Sequence, residues 1–317
     1  MPTIPAHAIG ARITGYGVAL PDKVVTNDDL TAGGLETTDE WIRERTGISE
    51  RRVGGSTASL SIEAGRRAIE RAGLQPSDID VVVLATTTPD QAVPASAAAE
   101  QDGLGLRCGA FDVNAACSGI VYGLVTAHGL IAMGARRALV IGTDTLSRIT
   151  DWDDRNTAVL FADGSGAVVL EATSGPGHLL GWDLDSDGSL RPLLYADIGG
   201  YLRMDGKEVF RRAVRLMVDS AQKSMLAAGV TADQLKLVVP HQANARIIKA
   251  ACDRLGVGMD RAAVVLHRTG NTSSASIPLA LVDALDNGRI EDGDLVLLVG
   301  FGAGMSAASA VLRWGAT

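Results

Sequence analysis

Cysteine is scarce in this chain: Cys108, Cys117 and Cys252 are the only three in 317 residues. Three cannot all pair with one another, so no disulfide framework is expected, and a reducing cytoplasm fits that usage. There is no CxxC and no HExxH, and the five histidines are scattered, so no metal site is expected. Aromatic residues make up 4% of the chain, which argues against an aromatic-rich binding surface. Positive charge is not in excess either. The formal net charge of −8 excludes general affinity for nucleic acid, which needs clustered Lys and Arg to neutralise phosphates. The long uncharged run over residues 295–312 is interrupted by Gly300-Phe301-Gly302-Ala303-Gly304. It reads as a buried strand, a turn and a second strand, so no membrane insertion is expected. The N-terminus lacks a charged region followed by an apolar one, and no signal peptide is expected.

Glycine is abundant, at 37 residues, and the 46% hydrophobic and 21% charged content is that of an ordinary globular protein. A chain of this length buries roughly 75% of its unfolded surface and needs no staples. It also repeats itself. Ala72-Gly73-Leu74 followed by Asp78-Ile79-Asp80-Val81-Val82-Val83 matches Ala228-Gly229-Val230 followed by Gln234-Leu235-Lys236-Leu237-Val238-Val239, half a chain away. Arg137-Ala138-Leu139-Val140-Ile141-Gly142 matches Leu295-Val296-Leu297-Leu298-Val299-Gly300 at nearly the same separation. In the first pair a helix ends at Gly, the αL stop, and a β-branched run then enters the core. Continuous apolar runs alternating with helical patterns predict parallel βα units covered on both faces. The sequence therefore predicts two similar α/β halves around a shared helical layer, with the irregular stretch 174–201 as the junction.

Four features could carry chemistry. Cys117, in Asn114-Ala115-Ala116-Cys117-Ser118-Gly119, follows a short strand and precedes a helix predicted over 120–133. A helix N-terminus there favours a thiolate, and the small neighbours let a substrate approach. Cys108 and Cys252 read as inert buried cysteines. His241, in Pro240-His241-Gln242-Ala243-Asn244, ends a strand where α/β proteins place ligands, although a lone His after a strand is more often structural. Asn271 lies in a polar turn before a helix predicted over 279–285. The glycine turn around Ala303 resembles a dinucleotide fingerprint superficially. Too few residues follow for the second strand that motif requires, and backbone amides brought close to a substrate, as in an oxyanion hole, fit better.

Together these residues resemble the β-ketoacyl-acyl-carrier-protein synthase III family of thiolase-like condensing enzymes. The marks are Asp39-Glu40-Trp41-Ile42-Arg43-Glu44-Arg45-Thr46-Gly47-Ile48, the Cys117 turn, Phe161-Ala162-Asp163-Gly164, His241-Gln242-Ala243-Asn244 and Gly270-Asn271-Thr272-Ser273. The resemblance implies an α/β fold, duplicated and thiolase-like, in five layers (α/β/α/β/α). Residues 1–173 would carry the nucleophile and 174–317 the His and Asn. It implies a homodimer that uses acyl-CoA and malonyl-acyl carrier protein and needs no cofactor. Cys117, His241 and Asn271 would be catalytic, with the amides of Cys117 and Ala303 as the oxyanion hole. Thr37, Trp41, Arg45, Arg155, Gly206, Phe210, Ala243 and Asn244 would contact CoA or its pantetheine arm, Trp41 and Arg155 by stacking on the adenine. Trp41 otherwise reads as a helix-face residue after a capping box from Thr37 to Glu40.

Val93 and Phe161 correspond to the acyl pocket. Val93 stands where acetyl-selective relatives carry a bulky aromatic that closes the pocket across the dimer, which predicts a branched or longer primer. Carrier-protein contacts fall on Arg211, Arg246, Lys249 and Arg254. Between His241 and Asn271, Arg246, Lys249, Arg254, Arg261 and Arg268 outnumber Asp253 and Asp260, a local basic patch in an acidic chain. Three rivals are a thiolase-fold acyltransferase or condensing enzyme of secondary metabolism with another acceptor, a cysteine hydrolase, and a non-catalytic partner. Asn271 favours condensation over the first, the CoA-type motifs argue against the second, and Cys117 against the third.

Overall fold

The structure, a computed structural model, describes residues 9–175 and 177–315. Strands β1 (Ala11–Ala19), β2 (Val81–Ala85), β3 (Gly109–Val113), β4 (Arg137–Thr145) and β5 (Asp163–Ala172) form one sheet in the order β1-β5-β4-β2-β3. Strands β6 (Leu179–Ser186), β7 (Leu237–Pro240), β8 (Leu295–Gly302) and β9 (Ser306–Arg313) form a second in the order β7-β8-β9-β6. The repeat shows in the pairing. β2 lies parallel to β4 with Val83 opposite Val140, and β7 lies parallel to β8 with Val239 opposite Leu298.

Seven helices position the site: α1 (Asp39–Thr46), α2 (Thr57–Arg71), α3 (Ser96–Gly103), α4 (Gly119–Ala132), α5 (Gly206–Ala228), α6 (Ala245–Leu255) and α7 (Ser276–Asp286). Alternation along the strands explains the layering, since successive side chains point to opposite faces. Val81 and Val83 meet Ile120, Leu124 and Ile131 of α4, with Leu279 and Leu281 of α7 in the same cluster. Val82 and Leu84 face the other way, onto Leu60, Ala64 and Ala68 of α2. In the second sheet Leu237, Val239 and Leu298 join the α4/α7 layer, while Val238, Leu297 and Val299 pack on Val214, Met217 and Ile247 of α5 and α6. The result is five layers, α/β/α/β/α, as expected. Both strands of the repeat are buried on both faces because helices cover each side.

The αL stops predicted at the repeat are present: Gly73 has φ 68° and Gly229 φ 65°. Other expectations need correction. The stretch read as an irregular junction contains β6, whose Leu179, Gly181 and Asp183 are buried. A Cβ at Gly181 would fall 2.3 Å from the Ser224 carbonyl oxygen, so glycine here marks strand against helix, not a loop. The N-cap of α1 is Thr38, which accepts from the Trp41 N–H, and not Thr37. The helix expected to begin at Leu279 begins at Ser276, because Pro278 fits within a first turn whose N–H groups have no helical partner.

Candidate active site

Cys117 sits in a 3-10 turn, Ala116–Ser118, between β3 and α4. The turn is strained. Ala116 has φ 48°, a left-handed conformation that costs an L-residue about 1–2 kcal/mol. Bonds across the two halves hold it. Asn114 Oδ1 accepts from the Ala116 N–H at 3.2 Å, Ser118 Oγ and Ser306 Oγ share a 2.7 Å hydrogen bond, and Ser306 Oγ donates to the Ala115 carbonyl at 2.9 Å. Gly302, the last residue of β8, packs against this turn so closely that a Cβ there would lie 2.6 Å from the Cys117 nitrogen. The glycine turn thus lies against the Cys117 backbone.

His241 follows β7 and is buried, its N–H donating to the Val299 carbonyl at 2.8 Å. Its Nδ1 lies 2.6 Å from Ser276 Oγ, and its ring stands edge-on to Phe301, 5.3 Å between centroids. Asn271 is held by a parallel bridge to Phe161, and its Oδ1 accepts from the Ser273 N–H at 2.9 Å. That bond commits the amide oxygen and leaves the NH₂ group as the donor to the cavity. Ser273, like Ala116, has a positive φ, 51°. The two strained residues with side chains flank the nucleophile and the amide, where stored strain concentrates.

Burial sets the electrostatics of both Cys117 and His241. Burial pushes the Cys117 thiol up to about 12. The Ser273 hydroxyl opposes that rise, and the charge of Asp144 adds to it. Desolvation thus opposes the thiolate that a helix N-terminus favours. Burial pushes His241 down to about 3, so its imidazole is neutral at pH 7.

Three cavities meet along these residues. A cavity of about 80 Å³ is walled by Cys117, His241, Asn271, Phe161, Phe301 and Leu194, with Gly206, Phe210, Ala243 and Asn244 toward its outer side. Cys117, Phe161 and Leu194 are shared with an inner cavity of about 860 Å³, itself open to solvent along the mostly exposed residues 191–197, which adds Thr87, Asn114, Leu146, Arg191, Asp197, Ala303 and Gly304. Leu160, Met204, Gly206, Phe210 and Asn244 are shared with an outer cavity of about 420 Å³, lined by Trp41, Arg45, Arg155, Lys207 and Arg246. The outer cavity has four cationic side chains and no carboxylate in its lining, a setting for phosphate groups. Arg155 and Arg45 stand 4.7 and 4.8 Å from the Trp41 ring centroid. The structure therefore offers a path from a cationic mouth to a sulfur, with a wide, open space beyond it.

The chain belongs to the 3-oxoacyl-[acyl-carrier-protein] synthase III family. Family models described as 3-Oxoacyl-[acyl-carrier-protein (ACP)] synthase III and as its C terminal match residues 111–188 and 225–314. A β-ketoacyl-[acyl-carrier-protein] synthase III of Roseiflexus castenholzii is 48% identical, over 96% of this chain and 98% of its own. The crystal structure of 3-oxoacyl-[acyl-carrier-protein] synthase III from Aquifex aeolicus superposes with a TM-score of 0.94 at 41% identity, covering 96% of this chain and 100% of that one. The priming β-ketosynthase of a polyketide biosynthetic pathway superposes at 0.92 with 36% identity, covering 98% of both chains.

Within this synthase III fold the predicted residues separate. Cys117, His241, Asn271, Phe161, Gly206, Phe210, Ala243, Asn244 and Ala303 line the inner and middle cavities. Trp41, Arg45, Arg155 and Arg246 line the outer one. Asn244 also caps α6 through the Arg246 N–H and donates to the Arg45 carbonyl at 2.9 Å. Thr37 lines none of the described cavities. It follows Glu36, which lines a further outer space of about 400 Å³ that Thr37 itself does not line. Val93 lines none either and is 84% exposed. Of the basic surface residues, Arg211 pairs with Glu208 at 2.6 Å and Lys249 with Asp253 at 2.7 Å, while Arg254 makes no ion pair among the described residues.

Sequence reasoning missed Ser273 against the thiol, Ser276 against the imidazole, and Asp144. Asp144, fully buried, accepts from Thr87 N–H at 2.7 Å, Thr87 Oγ1 at 2.8 Å and Ser274 Oγ at 2.7 Å, joining the inner-cavity wall to the Asn271 loop. The serines are in the motif already singled out. Asp144 ends an apolar strand, where a buried carboxylate needs many donors, and that was the available signal.

Proposed function

We propose that this protein condenses an acyl-CoA primer with malonyl-acyl carrier protein to give β-ketoacyl-acyl carrier protein, the initiating step of fatty acid synthesis. The observation that carries the proposal is the shared cavity of Cys117, His241 and Asn271 at the end of a cationic passage. The mouth fits the phosphates and adenine of CoA, and the narrow middle fits a pantetheine arm. In the first half-reaction Cys117 Sγ attacks the acyl thioester carbonyl. The S–C bond to CoA breaks, and the thiol proton ends on the departing CoA sulfur. In the second, the malonyl carboxylate leaves as CO₂ and its electron pair moves into the α-carbon and thioester oxygen. His241 and Asn271 supply neutral N–H donors to that oxygen as charge develops. The carbanion then attacks the acyl-Cys117 carbonyl, whose oxygen faces the amides of Cys117 and Ala303. Collapse releases the Cys117 sulfur, which recovers a proton. Each step uses a nucleophile, hydrogen bonds and a leaving group, so the chemistry calls for no metal or redox cofactor.

Valine at position 93, in place of a bulky aromatic, supports a branched or longer primer, and the inner cavity of about 860 Å³, open along residues 191–197, sets no limit on it in the single chain. Exposure of Val93 supports its meeting a second subunit, and β3, an unpaired edge of its sheet, is suited to homodimer pairing. Arg211, Arg246, Lys249 and Arg254 form the proposed carrier-protein face. Three free cysteines support a cytoplasmic location. No helix among the described residues is long and apolar enough to cross a membrane. A second reading, priming of a specialised metabolite, draws on the same large cavity and the likeness to a polyketide priming synthase.

Intact-mass measurement after incubation with a panel of acyl-CoAs tests the proposal. It expects a discrete adduct, absent in Cys117→Ala, and formed with branched or longer primers in preference to acetyl. No adduct with any acyl-CoA would overturn it, and an adduct that malonyl-acyl carrier protein fails to discharge would favour another acceptor.

A further inference from the structure

Ser276 opens α7 and is fully buried. Its Oγ has two hydrogen-bond partners among the described residues: His241 Nδ1 at 2.6 Å and the Gln242 N–H at 3.3 Å. A hydroxyl has one proton to give and two lone pairs to receive. The Gln242 amide can only donate, so it occupies a lone pair. If Nδ1–H also donated to Ser276 Oγ, the serine proton would be left without an acceptor in a place closed to water, which folded proteins avoid. If Ser276 instead donates to Nδ1, every group is used. A neutral imidazole whose Nδ1 accepts must carry its proton on Nε2. That nitrogen has no hydrogen-bond partner among the described residues and is left to the cavity His241 shares with Cys117 and Asn271. Phe301, edge-on to the ring, and the His241 N–H bond to Val299 keep the imidazole in place.

We propose that Ser276 is a positioning residue that fixes His241 in the Nε2–H tautomer, so that a donor faces the malonyl thioester. The inference rests on the proposed function, since only decarboxylation needs a donor at that nitrogen; transfer of the acyl group to Cys117 does not. Ser276 therefore separates the two half-reactions.

Two measurements test it. In protein labelled with ¹⁵N-histidine, the resonances of His241, assigned by loss in His241→Ala, are expected to show an unprotonated Nδ1 and a protonated Nε2 at pH 7. A protonated Nδ1, or an average of the two forms, would overturn the proposal whatever the kinetics. In the second, Ser276→Ala is expected to slow decarboxylation of malonyl-acyl carrier protein by about 10- to 100-fold, a fraction of what loss of a whole oxyanion donor costs. Acylation of Cys117 by acyl-CoA should stay within about twofold, and Ser276→Thr, which keeps the hydroxyl, should restore decarboxylation to within a few-fold. Equal slowing of both half-reactions, or failure of Thr to rescue, would assign Ser276 a purely structural role. A wild-type protein that acylates but never decarboxylates malonyl-acyl carrier protein would instead sink the proposed function, and the tautomer would still be decided by the spectrum.

Discussion

Gly302→Ala should disable acylation without unfolding the protein. The new Cβ would lie 2.6 Å from the Cys117 nitrogen, 2.9 Å from Ala116 Cβ and 3.1 Å from Ser306 Oγ, where ordinary contact begins at 3.4 Å. Neither backbone can yield easily. β8 is paired on both sides, and the Cys117 turn already holds Ala116 in a left-handed conformation. Relief requires the two to separate by about 0.8 Å, and a misplacement on the order of 1 Å in a reacting group costs about 100-fold in rate. The overpacking itself should cost about 1–3 kcal/mol of stability, which a buried core this size tolerates. The assay is the rate of acyl-adduct formation by intact mass, with thermal unfolding alongside. Gly300→Ala is the comparison, since its Cβ would meet nothing closer than Ile277 Cδ1 at 3.3 Å. Acylation by Gly302→Ala at the wild-type rate, or equal loss in both variants, would refute the claim that this glycine sets the Cys117 backbone.

Other outcomes follow from the same geometry. His241→Ala or Asn271→Ala should slow decarboxylation of malonyl-acyl carrier protein by about 10²-fold each while leaving Cys117 acylation measurable by mass, because each removes one donor to the enolate oxygen. Because burial holds His241 neutral down to about pH 3, decarboxylation should show no ionisation from this residue between pH 5 and 8. The same depressed value makes a stability prediction. The unfolded chain takes up the proton first, so the contribution is complete above pH 6.5 and falls by up to about 1.4 kcal/mol per unit as pH drops toward 3. Denaturant unfolding of the wild type against His241→Ala should show a shallower acid slope in the variant. Trp41→Ala should raise KM for acyl-CoA about tenfold through lost ring stacking and leave KM for malonyl-acyl carrier protein unchanged, as read in steady-state kinetics.

The strands, and the three side chains that share one cavity, were legible because their signals are local. Val81-Val82-Val83-Leu84 can be buried on both faces only in a covered sheet, Cys117 and His241 each follow a strand, and Asn271 lies in a polar turn that leads into a helix. What escaped depends on contacts across the chain. β6 carries Gly181 and Asp183 and looks like a loop, yet glycine there lets α5 approach. Thr37 looks like a cap from spacing alone, but backbone geometry gives the cap to Thr38. A thiolate at Cys117 follows from the helix it precedes, and no local pattern announces the burial that opposes it. Lys249 and Arg211 read as free positive charge, while neighbours one turn away on their helices partly neutralise them.

The duplication also explains where the site lies and why so much buried polarity surrounds it. The proposed nucleophile comes from the end of one sheet and the two proposed donors from loops of the other half, so the site exists only if the seam is fixed to a fraction of an ångström. Apolar packing of α4 on α7 is plastic and cannot supply that alone. Directional bonds across the seam can: Asp144 to Ser274, Ser118 to Ser306, and Ser306 to the Ala115 carbonyl. Asp144 is the most exacting of these. It sits in the sheet of Cys117, yet its donors include the N–H and hydroxyl of Ser274, three residues beyond Asn271. Its negative charge raises the Cys117 thiol, a cost to the first half-reaction. It also ties the Asn271 loop to the inner-cavity wall at Thr87, which the second half-reaction requires. A carboxylate so placed is explained by geometry, not by charge. A neutral amide of the same shape would relieve the thiol but could not accept all the donors that converge on this position.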